Sequence, residues 1–334
     1  MRRSLTGLIL LSILLVVAWA TTGLSGWLAA TPLKITSPQS YVVARGATLT
    51  SIAGDLSATG IIKQPWKLRL LARFDGYNDR VLAGDYQLSP SMALGRFLSA
   101  LNNGESLKQQ VTLVEGITFA QLLESIKRAP GLISTVAGLT PTEIMEQLGW
   151  AGIGAEGNFF PDTYRYHQGY TDLALLAHIY QNMQNHLQRE WRQRSPGLQI
   201  STPYEALILA SIIEKESGLD SERRRISGVF HRRLKVRMKL QADSTIIYGL
   251  GAAFDGDLRR RDMRKDTPYN SYIHKGLPPT PIAMPGLASI QAALNPDTSD
   301  ETLYFVATGT GGHYFSSTLR EHNQAVARYL KTLE

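Results

Sequence analysis

There is no cysteine in the 334 residues of this chain. That excludes a disulfide framework and any thiolate metal site, although it does not fix the compartment. The 7 histidines show no zinc-ligand spacing, so no metal is expected. No Gly-x-Ser-x-Gly is present to support a serine nucleophile. Gly309-Thr310-Gly311-Gly312 lacks the Lys-Ser/Thr and the following helix of a phosphate loop. No cofactor is therefore expected. An aromatic-interleaved basic face is also missing. The formal charge is +7, but its clusters, Arg223-Arg224-Arg225, His231-Arg232-Arg233 and Arg259-Arg260-Arg261, are small and scattered. Nucleic acid is thus the weakest partner for this basic chain, behind anionic lipid and an acidic polymer such as a cell wall.

What is present is a chain long enough for two or three domains, with 43% hydrophobic residues to fill their cores. Arg2 and Arg3 precede an uncharged stretch from Ser4 to Leu33, apolar from Leu8 to Ala20. That is long enough to span a bilayer, with the positive flank cytoplasmic and the rest exported. Residues 1–33 read as an uncleaved membrane anchor. The rival is a signal peptide, for which Ala18-Trp19-Ala20 and Ala29-Ala30 offer small-residue sites.

Residues 34–107 read as a small α+β subdomain. Tyr41 to Ala53 gives a short strand, a turn at Gly46 and a helix capped by Thr48 or Ala47. This resembles the opening of a LysM module. Pro65 to Phe74 reads as a second helix, Leu82 to Leu88 as a strand, and Met92 to Leu101 as another helix. Residues 108–198 read as a connecting helical region. It opens with a strand at Val111 to Val114, then has helices capped by Thr118 and Thr140 and a long helix from Asp172. Asn158 to Tyr164 reads as aromatic and turn-rich.

The chemistry is expected in residues 199–334. Thr202, Pro203 and Glu205 supply a capping box and a proline at the first helical position, and Gly218 supplies a stop. The helix between them is apolar on almost every side, so it should be buried. Yet it ends in Glu214-Lys215-Glu216. The macrodipole and burial both disfavour negative charge there, and both raise a carboxyl pKa as a general acid requires. At about 100° per residue Glu216 falls beside Leu209, Ile212 and Ile213, whereas Glu214 falls nearer Ser211. Glu216 is therefore the preferred acid, although residues alone leave open that both are solvated last-turn groups. A second helix is capped by Asp220 or Ser221. Lys239 to Gly249 follows as a polar run in which Gln241, Asp243 and Tyr248 could orient hydroxyl and acetamido groups or serve as turn and capping chemistry, which Asp243-Ser244-Thr245 also suits. Leu303 to Ala307 and His313 to Ser316 read as a hairpin, and Glu321 as the opening of a final helix.

Together these segments resemble the YceG-like family. The resemblance rests on Ala210 to Glu216, Leu240 to Gly249, Tyr269-Asn270-Ser271-Tyr272, Gly276 to Ile282 and Gly311 to Phe315, in order, with Val114-Glu115-Gly116 and Phe160 to Tyr164 before them. Ala242 and Ser244 depart from residues that are often Thr and Pro in that family. The resemblance implies an α+β protein with an N-terminal transmembrane helix, a LysM-like subdomain, a helical connector and a mixed α+β catalytic domain. It implies lytic cleavage of peptidoglycan glycan strands, at the bond between N-acetylmuramic acid and N-acetylglucosamine, with Glu216 as the catalytic acid. Gln241, Asp243, Tyr248 and Asn270 would position the sugars, and His313 and Phe315 would form a cleft wall. The expected setting is the bacterial inner membrane with the catalytic domain in the periplasm, and peptidoglycan synthases are candidate partners. Two rivals stand beside this reading. One is a hydrolytic muramidase with Asp243 as second carboxylate. The other is a non-catalytic wall-binding scaffold.

Overall fold

In a computed structural model the described residues are 22–44, 46–77, 81–106 and 108–332. Most of the apolar stretch expected to cross a membrane lies outside them. Residues 22–29 are helical. Among the described residues no helix is long and apolar enough to cross a membrane. The chain divides into two compact units. The first takes in residues up to 110 with 130–133 and 165–170; the second takes in 111–129, 134–164 and 171–334.

In the first unit β1 (Gln39–Val43) pairs antiparallel with β2 (Gly84–Leu88), and Tyr41 faces Tyr86 across the ladder. Between the strands lie α1 (Leu49–Ala58) and α2 (Trp66–Phe74), and α3 (Leu94–Asn103) follows. Thr48 rather than Ala47 is the first cap, closing a capping box with Ser51. Apolar residues at helical spacing put Ile52, Leu56, Leu68, Leu71, Phe97 and Leu98 into one core beneath Tyr86 and Leu88. The buried Tyr86 hydroxyl is satisfied by the Leu82 carbonyl at 2.6 Å.

Two further strands, β3 (Lys108–Thr112) and β4 (Thr163–His167), pair with each other. The sequence reading places the first later, at Val111, and omits the second. β4 alternates exposed and buried residues, but its period-two signal follows directly on an aromatic turn that masks it.

The second unit is built around one helix. Before it come α4 (Phe119–Arg128), α5 (Pro141–Gln147) and α6 (Asp172–Arg192), the first two opened by the expected capping boxes at Thr118 and Thr140. Then comes α7 (Pro203–Glu216), with the Thr202–Glu205 box at its start. Residues 206–213 of α7 are all buried, because α6, α8 (Asp220–Lys235), α9 (Asp243–Leu250) and α10 (Leu287–Leu294) surround it. Burying each Leu or Ile side chain contributes about 1.5–3 kcal/mol, so this helix is fixed by packing rather than by propensity. The hairpin of β5 (Tyr304–Ala307) and β6 (His313–Ser316) pairs Phe305 with Phe315, and α11 (Leu319–Lys331) closes the unit. α11 starts at Leu319 rather than Glu321. Thr318 is its cap, and Glu321 is the third residue, reaching back to it. α8 has Leu219 at its cap position, and Asp220 is already helical. The sequence reading assigns no helix at α9, although the Asp243-Ser244-Thr245 run with which it starts suits a cap as well as a turn.

Candidate active site

The two acids at the end of α7 have opposite fates. Glu214 is locked into the fold. Its Oε2 accepts from the Gly286 amide at 2.9 Å and its Oε1 lies 3.7 Å from the Arg223 guanidinium. Only 7% of its side chain is exposed. Glu216, the last residue of α7, is only half-buried and opens onto a cavity of about 360 Å³. Gln121, Lys215, Asp243, Ser244, Ile247 and Tyr248 share its wall.

Burial of the Glu216 carboxyl group raises its pKa above the ordinary value, and the nearby Asp243 charge raises it further. The Ser244 hydroxyl opposes this by donating to Oε1 at 2.7 Å, as does His313 through its charge. The outcome is a carboxyl group whose pKa is raised above its ordinary value, the direction a general acid needs, with one oxygen held by a hydroxyl donor.

Ser244 is in place because the start of α9 is tied down from below. The Ser271 hydroxyl accepts from the Ala242 amide at 2.9 Å and lies 2.8 Å from the Thr245 hydroxyl, which bonds the Ala242 carbonyl at 2.6 Å. Next to Ser271, the Tyr272 hydroxyl donates to Asp243 Oδ1 at 2.7 Å. Burial and the Asp243 charge both push the Tyr272 phenol up, so it remains a donor. The Tyr269 to Tyr272 motif is thus the platform on which α9 stands.

Of the residues expected at the site, Glu216, Asp243 and Tyr248 line the same cavity. Gln241, Asn270, His313 and Phe315 do not line it. Gln241 is exposed and held in a left-handed conformation, φ 50°, while its amide bonds the Ser271 carbonyl at 3.2 Å. Asn270, expected to position a sugar, is fully buried. Its Nδ2 donates to the Met263 and Lys265 carbonyls at 3.1 and 2.8 Å, and its Oδ1 accepts from the Tyr272 amide. Its amide is consumed by backbone, so it holds the 263–272 loop and has nothing left for a ligand. His313 bonds Glu222 twice, through Nδ1 at 2.7 Å and through its backbone amide at 3.0 Å, and packs edge-on to Phe305. Phe315 packs against Phe305 and lies 4.1 Å below the Arg225 guanidinium. Ser244, Tyr272 and Glu222 escaped the sequence reading. Each is a single polar residue, and only the fold shows what it faces.

A larger cavity of about 560 Å³ lies between the α8 face at His231, Arg232 and Lys235 and the loop near Asp300. His231 and Arg232 are spent on the Ala293, Asp297 and Thr302 carbonyls and on Asp300. Among the described residues no group of three His, Cys, Asp or Glu is placed to hold a metal ion.

The model of the YceG-like family matches residues 41–328. A Bacillus subtilis protein named endolytic murein transglycosylase is 30% identical over 304 residues, which cover 86% of this chain and 83% of that protein. A Streptococcus pneumoniae protein of the same name is 28% identical over 325 residues, covering 87% of this chain and 58% of that longer protein. The crystal structure of a yceG-like protein from Listeria monocytogenes superposes with a TM-score of 0.54 at 26% identity, covering 86% of this chain and 99% of the other. With a family match across most of its length and a solved relative of the same fold, this chain belongs to the YceG-like family.

Proposed function

We propose that this chain is an endolytic murein transglycosylase, a lyase that cuts glycan strands between N-acetylmuramic acid and N-acetylglucosamine and leaves 1,6-anhydro ends. The observation that carries the reading is the contrast within Glu214-Lys215-Glu216: one acid is locked into the fold and the other is raised, oriented and open to the cavity. The names of the relatives support the substrate class.

The chemistry needs one carboxyl group in two roles. In its protonated form Glu216 gives its proton to the bridging oxygen as the glycosidic bond breaks. The resulting carboxylate then takes the proton of the muramic acid C6 hydroxyl, whose oxygen closes the anhydro ring. The proton count returns to its start and no water is consumed. Ser244 donates to Oε1 and so favours the carboxylate on which the second step depends.

Asp243 in the same cavity favours one second reading, hydrolysis by a carboxylate pair. Its side chain is engaged by Tyr272, which fits a part in orienting the site better than attack on a sugar. Incubating purified glycan strands with the full chain separates the two. New ends that resist borohydride reduction support the lyase, and an equal yield of reducible ends would establish the hydrolase. We further propose that residues 1–33 anchor the chain in the cytoplasmic membrane, with the catalytic unit on the periplasmic side near peptidoglycan synthases.

A further inference from the structure

Glu156 lies outside the polar residues that the lyase reading uses, yet it is tied to the cavity. Its carboxylate accepts the Phe119 amide, at the first residue of α4, at 3.0 and 3.3 Å. Its Oε2 also accepts the Tyr248 hydroxyl at 3.2 Å. Tyr248 lines the cavity beside Glu216. Its ring packs edge-on to Tyr269 at 4.8 Å, and Tyr269 in turn shares a 2.8 Å hydroxyl contact with Thr280. The next residue, Gly157, has φ 78° and packs so closely that a Cβ there would run into Pro281. The backbone on the C-terminal side of Glu156 is therefore fixed as well as its carboxylate. Tyr248 is gripped on two sides, by an aromatic neighbour on its ring and by a carboxylate on its oxygen.

We infer that Glu156 is a positioning residue for the sugar-binding wall, acting through Tyr248: it orients the phenol so that the ring and hydroxyl present one fixed surface to a glycan strand. A phenol whose only proton is committed to a carboxylate meets the ligand as an acceptor and an apolar face. That surface suits sugar hydroxyl and acetamide N–H donors and the apolar face of a pyranose. The ligand class rests on the lyase reading, but the coupling between the two residues does not. Burial holds the Glu156 carboxyl up at about 7, well above the ordinary range.

The test is a double-mutant cycle on strand binding rather than on turnover. Purified glycan strands are titrated against the full chain carrying Glu216→Gln, and against the same protein with Glu156→Gln, Tyr248→Phe or both. Each added substitution alone should weaken binding about tenfold, the effect of one hydrogen bond to Tyr248 lost or misaligned. The pair should weaken it no further than either alone. A hundredfold loss in the pair would overturn the inference, because independent contributions multiply. Unchanged affinity for either single variant would also overturn it. If Glu156→Gln fails to fold, Glu156→Asp, which keeps the acid but shortens its reach to Tyr248, takes its place in the cycle with the same expected and contradicting outcomes. Failure of the lyase reading shows elsewhere, in the products of the unmodified chain, so either idea can fail alone.

Discussion

At the scale of single residues, Glu214 and Glu216 are two positions apart on α7 and answer to different physics. Replacing Glu214 with Gln removes one of the two carboxylates paired with Arg223, whose side chain is 11% exposed, leaving it only the exposed Asp220, and weakens the bond to the Gly286 amide. That costs about 1.5–3 kcal/mol, read as a lower Tm, while catalysis falls only in proportion to folded protein. Glu216→Gln should do the reverse, with cleavage reduced at least a thousandfold and the fold retained. A group whose pKa is raised by folding contributes stability below the unfolded value, and that stability is lost as pH rises through the folded one. Glu216→Gln should therefore gain in Tm relative to the unmodified chain as pH is taken upward from about 4.5. Glu156 follows the same sign. Raised from 4.5 to about 7, it makes the unmodified chain lose on the order of 3 kcal/mol between pH 5 and 8 that Glu156→Gln does not lose; melts at the two pH values check this. The neighbours of Glu216 also make opposed predictions. Asp243→Asn removes a charge that raises the acid, so the alkaline limb of kcat/KM moves to lower pH. Ser244→Ala removes a donor to the carboxylate, so that limb moves to higher pH. Shifts in the same direction would contradict the assignment of Glu216 as the acid.

At the scale of elements, α7 acts as a fixed post. Leu209 is fully buried among its neighbours, and Leu209→Ala should cost about 2–5 kcal/mol, measured by denaturant unfolding. Gly228 on α8 is a tighter test. The Asp297 carbonyl packs where its Cβ would be, and the Asp297 amide bonds the Arg224 carbonyl at 2.8 Å. Backbone cannot step aside as a flexible side chain can, so Gly228→Ala should destabilise by about 1–3 kcal/mol or more. Much of this level was legible in the sequence. The caps at Thr48, Thr118, Thr140 and Thr202 carry local chemistry that needs no tertiary context, and α7 announced its burial by being apolar all round. α9 was not legible, because Asp-Ser-Thr suits a turn and a first helical turn equally. What decided it was the Ser271 platform, 26 residues away from Thr245 in the chain. Asn270 was misread for the same reason: a lone amide looks like a ligand group until the carbonyls of Met263 and Lys265 are found on it.

At the scale of the whole molecule, all the residues assigned to the cavity belong to the second unit, and the first has a core of its own. Leu56→Ala, which opens a hole in that first core, should lower the stability of the first unit and leave kcat on glycan strands unchanged. The net charge of +7 favours attraction to anionic surfaces, and salt should weaken that attraction without moving the chemistry. The central claim is that one carboxyl group, Glu216, gives the proton and takes one back with no water in between. Its most direct test is mass spectrometry of the fragments released from glycan strands in heavy-oxygen water by the full chain and by its Glu216→Gln variant. The account predicts fragments one water lighter than hydrolytic ones, free of heavy oxygen, from the unmodified chain and none from the variant. Heavy oxygen in the new ends, or undiminished release by the variant, would contradict it.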